Sequence, residues 1–236
     1  MPTDRVAVHH ILVFLLTEDE ARPGGFADLD ESRGFLAGYV PGTSHLKFDE
    51  GFGKKIPQGA TLLFQIHYTP YGTESEDQSK IGFKFADKEP ENALHVYGIS
   101  NTRLNIPAGA KDHKEVAAVT VPTDVYATAL LPHMHVRGSA FKYELTYPDG
   151  REEVLLDVPR YDFNWQLTYR LKEPKLLPKG TKITCTALFD NSKSNPANPD
   201  PTERVRWGLQ TDDEMLLGYF EYFTADPSKG PIDRRE

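Results

Sequence analysis

Hydrophobic positions along this chain recur with a period of two. Phe141, Tyr143, Leu145 and Tyr147 alternate with other residues, run into Pro148-Asp149-Gly150, and are followed by Val154 and Leu156. Side chains on a strand alternate between faces, so this spacing predicts a hairpin with one buried face, and Pro-Asp-Gly supplies its turn. Ile183, Cys185, Ala187 and Phe189 predict a further strand. Tyr161, Phe163, Trp165, Leu167, Tyr169 and Leu171 predict a long one, and Ile81, Phe83 and Phe85 a short one. Ile11 to Leu16 and Leu62 to Tyr68 are apolar runs of strand length. No stretch of useful length has the period of an amphipathic helix.

Eighteen Gly and 18 Pro punctuate these runs. Many short strands with frequent turns predict an all-β chain built as sandwiches or barrels. The polar run Ala86 to Asn92 breaks the pattern and marks a boundary. The expected organisation is therefore a domain over residues 1–90, a second over 91–225, and a flexible tail over 226–236. Thr73 to Lys80 reads as a polar hairpin loop, and Asn191 to Pro201 as a long Asn/Pro/Ser loop.

Bulk properties then narrow the function. With 236 residues, 39% of them apolar, the chain can bury a sizeable core. A net charge of −8 without any Lys/Arg cluster argues against a nucleic-acid partner. No apolar run approaches the ~18 residues of a membrane span. The run Ile11 to Leu16 is too short for a signal peptide, and Asp4 precedes it. Cys185 is the only cysteine, which rules out an intrachain disulfide.

Candidate chemistry lies in six residues: His9, His10 and His67, then His133, His135 and Met215. Imidazole suits several transition metals, whereas a thioether is soft and selects copper, above all Cu(I). His133 and His135 are two apart, and on a strand both imidazoles would reach one ion. Exposed surface histidines are the plainer reading of that pair. A cupin-type strand would place Glu four residues after the second histidine, where Ser139 stands. An iron facial triad would need a nearby carboxylate, and none follows closely. A blue-copper site would need a histidine after Cys185, and none follows. Neighbours on a regular strand face opposite ways, so His9 and His10 could share an ion only across a bulge. His67 shares a face with Leu63 and Gln65, and a lone strand histidine is more often a satisfied core group. Met215 precedes Leu216-Leu217-Gly218 and could be core. Spacing alone does not gather the six.

The order of the motifs does suggest a family. Val8-His9-His10-Ile11-Leu12-Val13-Phe14, then Gln65-Ile66-His67-Tyr68, His133-Met134-His135 and Thr211-Asp212-Asp213-Glu214-Met215 resemble the copper type II, ascorbate-dependent monooxygenases. That is the family of peptidylglycine alpha-hydroxylating and dopamine beta-monooxygenases. The order agrees and the separations are similar, with 57 residues from His10 to His67, 66 to His133, and 80 from His135 to Met215. Arg160 to Gln166, Asp190-Asn191, Asn195-Pro196 and Trp207-Gly208 look more like its bacterial members.

The resemblance implies two jelly-roll-like antiparallel β-sandwich domains with one copper each. His9, His10 and His67 would hold an electron-supplying copper. His133, His135 and Met215 would hold the copper that activates O2 and would be the catalytic residues. The implied reaction hydroxylates an aliphatic C–H of a small-molecule or peptide substrate, with O2 and an ascorbate-type reductant. Two departures stand out. Only eight residues precede His9, so the first domain is expected to be N-terminally truncated, with upstream domains belonging to a longer chain. Leu131 stands where the peptide enzymes carry a substrate-binding arginine, which argues against a glycine-extended peptide. Tyr219 matches a substrate-side tyrosine, and Gln65 is a second substrate-binding candidate. His45, His95 and His113 are assigned to no metal. Copper chemistry favours an extracytoplasmic location, periplasmic or secreted. The rival readings are a non-catalytic copper-binding or electron-transfer module and a carbohydrate- or protein-binding β-sandwich.

Overall fold

A computed structural model describes residues 1–16, 34–40, 45–228 and 230–232. Among them every regular element is a strand, as the period-two pattern predicts. No helix there is long and apolar enough to cross a membrane. The chain folds as two units, Met1–Val96 and Tyr97–Glu236.

The first unit carries β1 (Val8–Leu16), β2 (Phe35–Tyr39), β3 (Phe52–Gly53), β4 (Thr61–Tyr68) and β5 (Asn92–Ala93). β1 is the middle strand of an antiparallel sheet in the order β2-β1-β4, while β3 and β5 form a short parallel pair. A middle strand covered on both faces reads as a continuous apolar run rather than an alternating one. β1 does so: Val8, Ile11, Val13 and Leu36 bury in one cluster and Leu12, Phe14 and Leu16 in another.

The second unit begins within β6 (His95–Ser100) and continues through β7 (Asn105–Ile106), β8 (His113–Thr120), β9 (Val125–His133) and β10 (Gly138–Thr146). There follow β11 (Glu152–Val158), β12 (Tyr169–Leu177), β13 (Lys182–Phe189), β14 (Val205–Arg206) and β15 (Leu217–Thr224). Two four-stranded antiparallel sheets result, in the orders β11-β10-β13-β8 and β12-β9-β15-β6. Their inner faces share one core that includes Val125, Ala127, Phe141, Tyr143, Ile183, Cys185, Phe220 and Tyr222. This is a β-sandwich. Close approach is enforced at Gly218, where a Cβ would lie 2.5 Å from Cys185 Sγ and 3.1 Å from the Tyr143 ring. The Tyr143 hydroxyl also crosses between the sheets and donates to the Tyr219 carbonyl at 3.0 Å.

The predicted hairpin is β10–β11, with Pro148-Asp149-Gly150 at its turn and Gly150 at positive φ. Two predicted strands are absent. Residues 161–168 are irregular, and only Tyr169 and Leu171 of that alternating run belong to a strand. Asp162 is the reason: its side chain accepts from the Asn164 amide at 2.8 Å and its carbonyl from the Trp165 amide at 2.9 Å. Those local bonds close a turn that competes with any ladder. Ile81, Phe83 and Phe85 lie in a stretch, residues 69–91, that holds no strand, so Thr73 to Lys80 is not a hairpin loop. Its backbone is tied instead to the N-terminal residues, with Gln78 donating to Thr3 Oγ1 and Lys80 to the Met1 carbonyl. In the expected tail, the Ile232 amide donates to the Tyr222 hydroxyl at 2.7 Å and Ile232 packs on the core. Residues 229 and 233–236 of that tail lie outside the described residues.

Candidate metal centre

In the second unit the ligand candidates meet where β9 ends and β15 begins. His133 is the last residue of β9, and His135 lies beyond it in the connection to β10 rather than on the strand. The i, i+2 strand geometry expected for the pair is therefore replaced by a turn, closed by the Gly138 amide on the His135 carbonyl at 3.1 Å. The rings still stand side by side, with centroids 5.2 Å apart at 80°. Both are buried, at 9% and 3% exposure. Across the ladder Leu217 pairs with His133. Met215 lies two residues before Leu217, and its amide shares an acceptor, Glu214 Oε2, with the amide of His135. Met215 is fully buried.

Each imidazole has its tautomer fixed by a neighbour. Gln166 donates through Nε2 to the Phe163 carbonyl at 2.9 Å, which turns its Oε1 towards His133 Nδ1 at 2.6 Å. Nδ1 of His133 is then the donor, and the lone pair sits on Nε2. His135 Nδ1 lies 3.2 Å from the Asp213 carbonyl, which can only accept, so the same tautomer follows. Burial also pushes the His133 pKa down against the Gln166 bond, which favours the neutral ring that a metal needs. The irregular segment 161–168 thus does specific work around the pair. The Tyr161 hydroxyl donates to the Met134 carbonyl at 2.6 Å and accepts from the Met134 amide at 3.0 Å. The Phe163 ring meets His135 edge-on at 6.2 Å.

Glu214 is fully buried beside these residues. Its Oε2 accepts from the amides of His135, at 2.8 Å, and Met215, at 3.2 Å; its Oε1 accepts from the Arg137 amide at 2.6 Å. Burial pushes its carboxyl up to about 7, with those three N–H groups and the Arg137 charge opposing. The Arg137 side chain is itself buried and donates to Asn191, Asn198 and the Asp212 carbonyl. Gly208 makes room for this turn, since a Cβ there would fall on the Asp213 carboxylate.

In the first unit the anticipated bulge is present. The β1–β4 register shifts between Val8 and His10, which lets His9 and His10 point the same way. Their Nδ1 atoms are 2.9 Å apart. His10 stands opposite His67, with ring centroids 4.1 Å apart at 31°. Tilted, nearly stacked rings hold their nitrogens side by side rather than aimed at one point. A turn of one ring about its soft χ2 would be needed for all three to share an ion. Among the described residues no three His, Cys, Asp or Glu side chains are arranged to hold a metal. A thioether falls outside that class, and the donors at His133, His135 and Met215 suit copper: two imidazoles and a soft sulfur.

The remaining candidates are placed as follows. Gln65 pairs with Leu12 on β4, on the face of His67. Tyr219 pairs with Leu131 on β15 and is 3% exposed. His113 lies 3.2 Å from Glu115. The residues not anticipated are Gln166, Glu214, Arg137 and Tyr161 in their supporting roles. The available signal for Glu214 was an acidic residue directly before an apolar run.

No protein-family model matches the chain. Among solved structures it is matched to the VP2 subviral particle of infectious bursal disease virus, at 11% identity over 95% of this chain and 54% of that one, with a TM-score of 0.28. The T13 particle of the same virus matches at 9% identity, over 92% and 50%, with the same TM-score. Such loose superpositions carry no argument. Among curated proteins, DBH-like monooxygenase protein 2 of Mus musculus is 23% identical in an alignment of 244 positions that covers 92% of this chain and 38% of that protein. The chain spans well under half the length of that protein, to which it is distantly similar along nearly all of its own.

Proposed function

We propose that the chain is a copper-dependent monooxygenase of the bacterial type that hydroxylates an aliphatic C–H bond. A C–H bond and O2 become C–OH and water, with two electrons drawn from an ascorbate-class reductant and two protons completing the water. The observation that carries this reading is the donor set at the β9–β15 junction. His133 and His135 each have Nδ1 engaged by a fixed acceptor, and the Met215 amide shares the Glu214 Oε2 atom with that of His135. Copper, when bound, supplies the one-electron steps by which dioxygen is reduced.

The chain's own residues do the rest. Gln166 and the Asp213 carbonyl orient the imidazoles, and burial of the pair excludes water from the ligand side. Met215 provides the soft donor that favours Cu(I). His9, His10 and His67 are the electron-side set in this reading, and the β1 register shift beside His9 supports it. In this reading residues 1–90 and 91–225 hold one copper each, and the protein works outside the cytoplasm. Tyr219 and Gln65 are the substrate-side residues. The distant likeness to a DBH-like monooxygenase supports the reaction class.

The alternative is a non-catalytic copper-binding or electron-transfer protein. On its side is the stacking of His10 on His67, which leaves the three-histidine set unconverged. One experiment separates the two. Copper-loaded protein and ascorbate are incubated with a panel of amidated, aromatic and aliphatic substrates, and oxygen uptake is followed with product mass. A gain of 16 mass units coupled to uptake, and lost in Met215→Leu, supports the monooxygenase. Copper reduction without any hydroxylated product supports the alternative.

A further inference from the structure

Two of the three candidate donors at the β9–β15 junction hang from one side chain. The Glu214 carboxylate accepts from the backbone of His135 and Met215 through Oε2, and from Arg137 through Oε1. His135 and Arg137 flank the turn after β9, whereas Met215 leads into β15. The His135 ring and the Arg137 guanidinium also reach the carbonyls of Asp213 and Asp212, so the turn and the segment before β15 are tied together from both sides. Burying a carboxylate is unfavourable unless its oxygens are hydrogen-bonded and a counter-charge is near. Both conditions hold here. Three amides point at the oxygens, and the guanidinium of Arg137 lies in the same buried region, held by Asn191, Asn198 and the Asp212 carbonyl.

We infer that Glu214 is a positioning residue that sets the separation of His135 and Met215 before any metal arrives. The inference rests on the reading that His133, His135 and Met215 form a copper site. Only a carboxylate offers acceptors on both oxygens. A glutamine of the same shape would accept on one side and turn its NH2 towards an N–H on the other. Either the Arg137 amide, or the His135 and Met215 amides together, must then lose its acceptor. Asn191 extends the device: it also donates to the Pro107 and Glu203 carbonyls, so the Asn/Pro loop braces Arg137 and, through it, the turn.

Three proteins test this: wild type, Met215→Leu and Glu214→Gln, each loaded with Cu(I) and measured by X-ray absorption. Wild type is expected to show copper–sulfur scattering and Met215→Leu to lack it. Glu214→Gln should lose at least half of that signal while retaining its nitrogen shell. A wild-type spectrum identical to that of Met215→Leu sinks the copper-site reading itself. A sulfur signal present in wild type and undiminished in Glu214→Gln leaves the site standing and overturns the role of Glu214. Amide exchange without metal provides the second readout. In Glu214→Gln either the Arg137 amide, or the His135 and Met215 amides together, should lose protection at least tenfold, while the β10–β13 ladder keeps its own. Equal loss across that ladder overturns the inference, because the carboxylate would then support the whole unit rather than the ligands.

Discussion

The backbone amides of His135 and Met215 converge on one atom, Glu214 Oε2, at 2.8 and 3.2 Å, beside the ladder in which Leu217 stands opposite His133. Replacement at Met215 separates its chemical and packing roles. Met215→Leu keeps the volume and should cost less than about 1.5 kcal/mol of stability. Met215→Ala opens a cavity in a fully buried position and should cost about 2–5 kcal/mol. Both should abolish substrate hydroxylation equally. Thermal melts with turnover assays check this; hydroxylation tracking stability rather than sulfur would count against the ligand role.

Gln166 is predicted to matter through the tautomer of His133. Gln166→Ala removes the acceptor 2.6 Å from Nδ1, so the ring can rotate or shift its proton to Nε2. Cu(I) affinity at this site should fall about 10–100-fold. Competition with a calibrated Cu(I) chelator measures it, and an unchanged affinity would remove Gln166 from the site.

Gly218 tests the sandwich rather than the metal. A methyl group there would meet Cys185 Sγ at 2.5 Å and the Tyr143 ring at 3.1 Å. Gly218→Ala should destabilise by about 1–3 kcal/mol through overpacking. Pairing it with Cys185→Ala should recover part of the loss, because the two sites are coupled. Denaturant titration of the single and double variants shows whether the energies are non-additive.

Alkaline pH should weaken the second unit through Tyr222. Burial raises its hydroxyl from 10.0 to about 12. Between those values the folded chain keeps a proton that the unfolded chain has lost, so stability falls as pH rises from 10 to 12. Tyr222→Phe should lessen that slope by up to one proton, with Tyr143, also raised by burial, sustaining part of the rest. At neutral pH the same change should cost about 0.5–1.5 kcal/mol for the lost Ile232 bond. Stability measured across pH in both proteins reads the two effects separately.

Much of the fold was legible because a half-covered strand must alternate. Tyr143, Leu145, Ile183 and Cys185 all bury as their spacing requires. The register shift at His9 was readable only as a condition: adjacent histidines cannot share a side of a regular strand, so a shared ion required it. The run from Tyr161 to Leu167 misled for a physical reason. Its Tyr161, Phe163 and Gln166 point at the histidine turn, while Trp165, at 58% exposure, points away. A segment folded around a site can alternate as a strand does, and Asp162 decides between them by turning the chain. Gln166 and the long-range role of Glu214 were hidden because their partners, a ring nitrogen and the amides of His135 and Arg137, lie far away in sequence.

His135 and Glu214 meet across a sequence separation of 79. Closing so long a loop carries an entropic penalty that must be met before its contacts give any return, and pairings of this kind form late in folding. The donor set is therefore absent from early collapsed states, in which β10–β11 and other local hairpins can already exist. Copper offered during refolding would have no assembled thioether–imidazole trio to enter until β15 docks. Its uptake should lag behind hairpin formation in a stopped-flow experiment, making the metal a clock for the last long-range step.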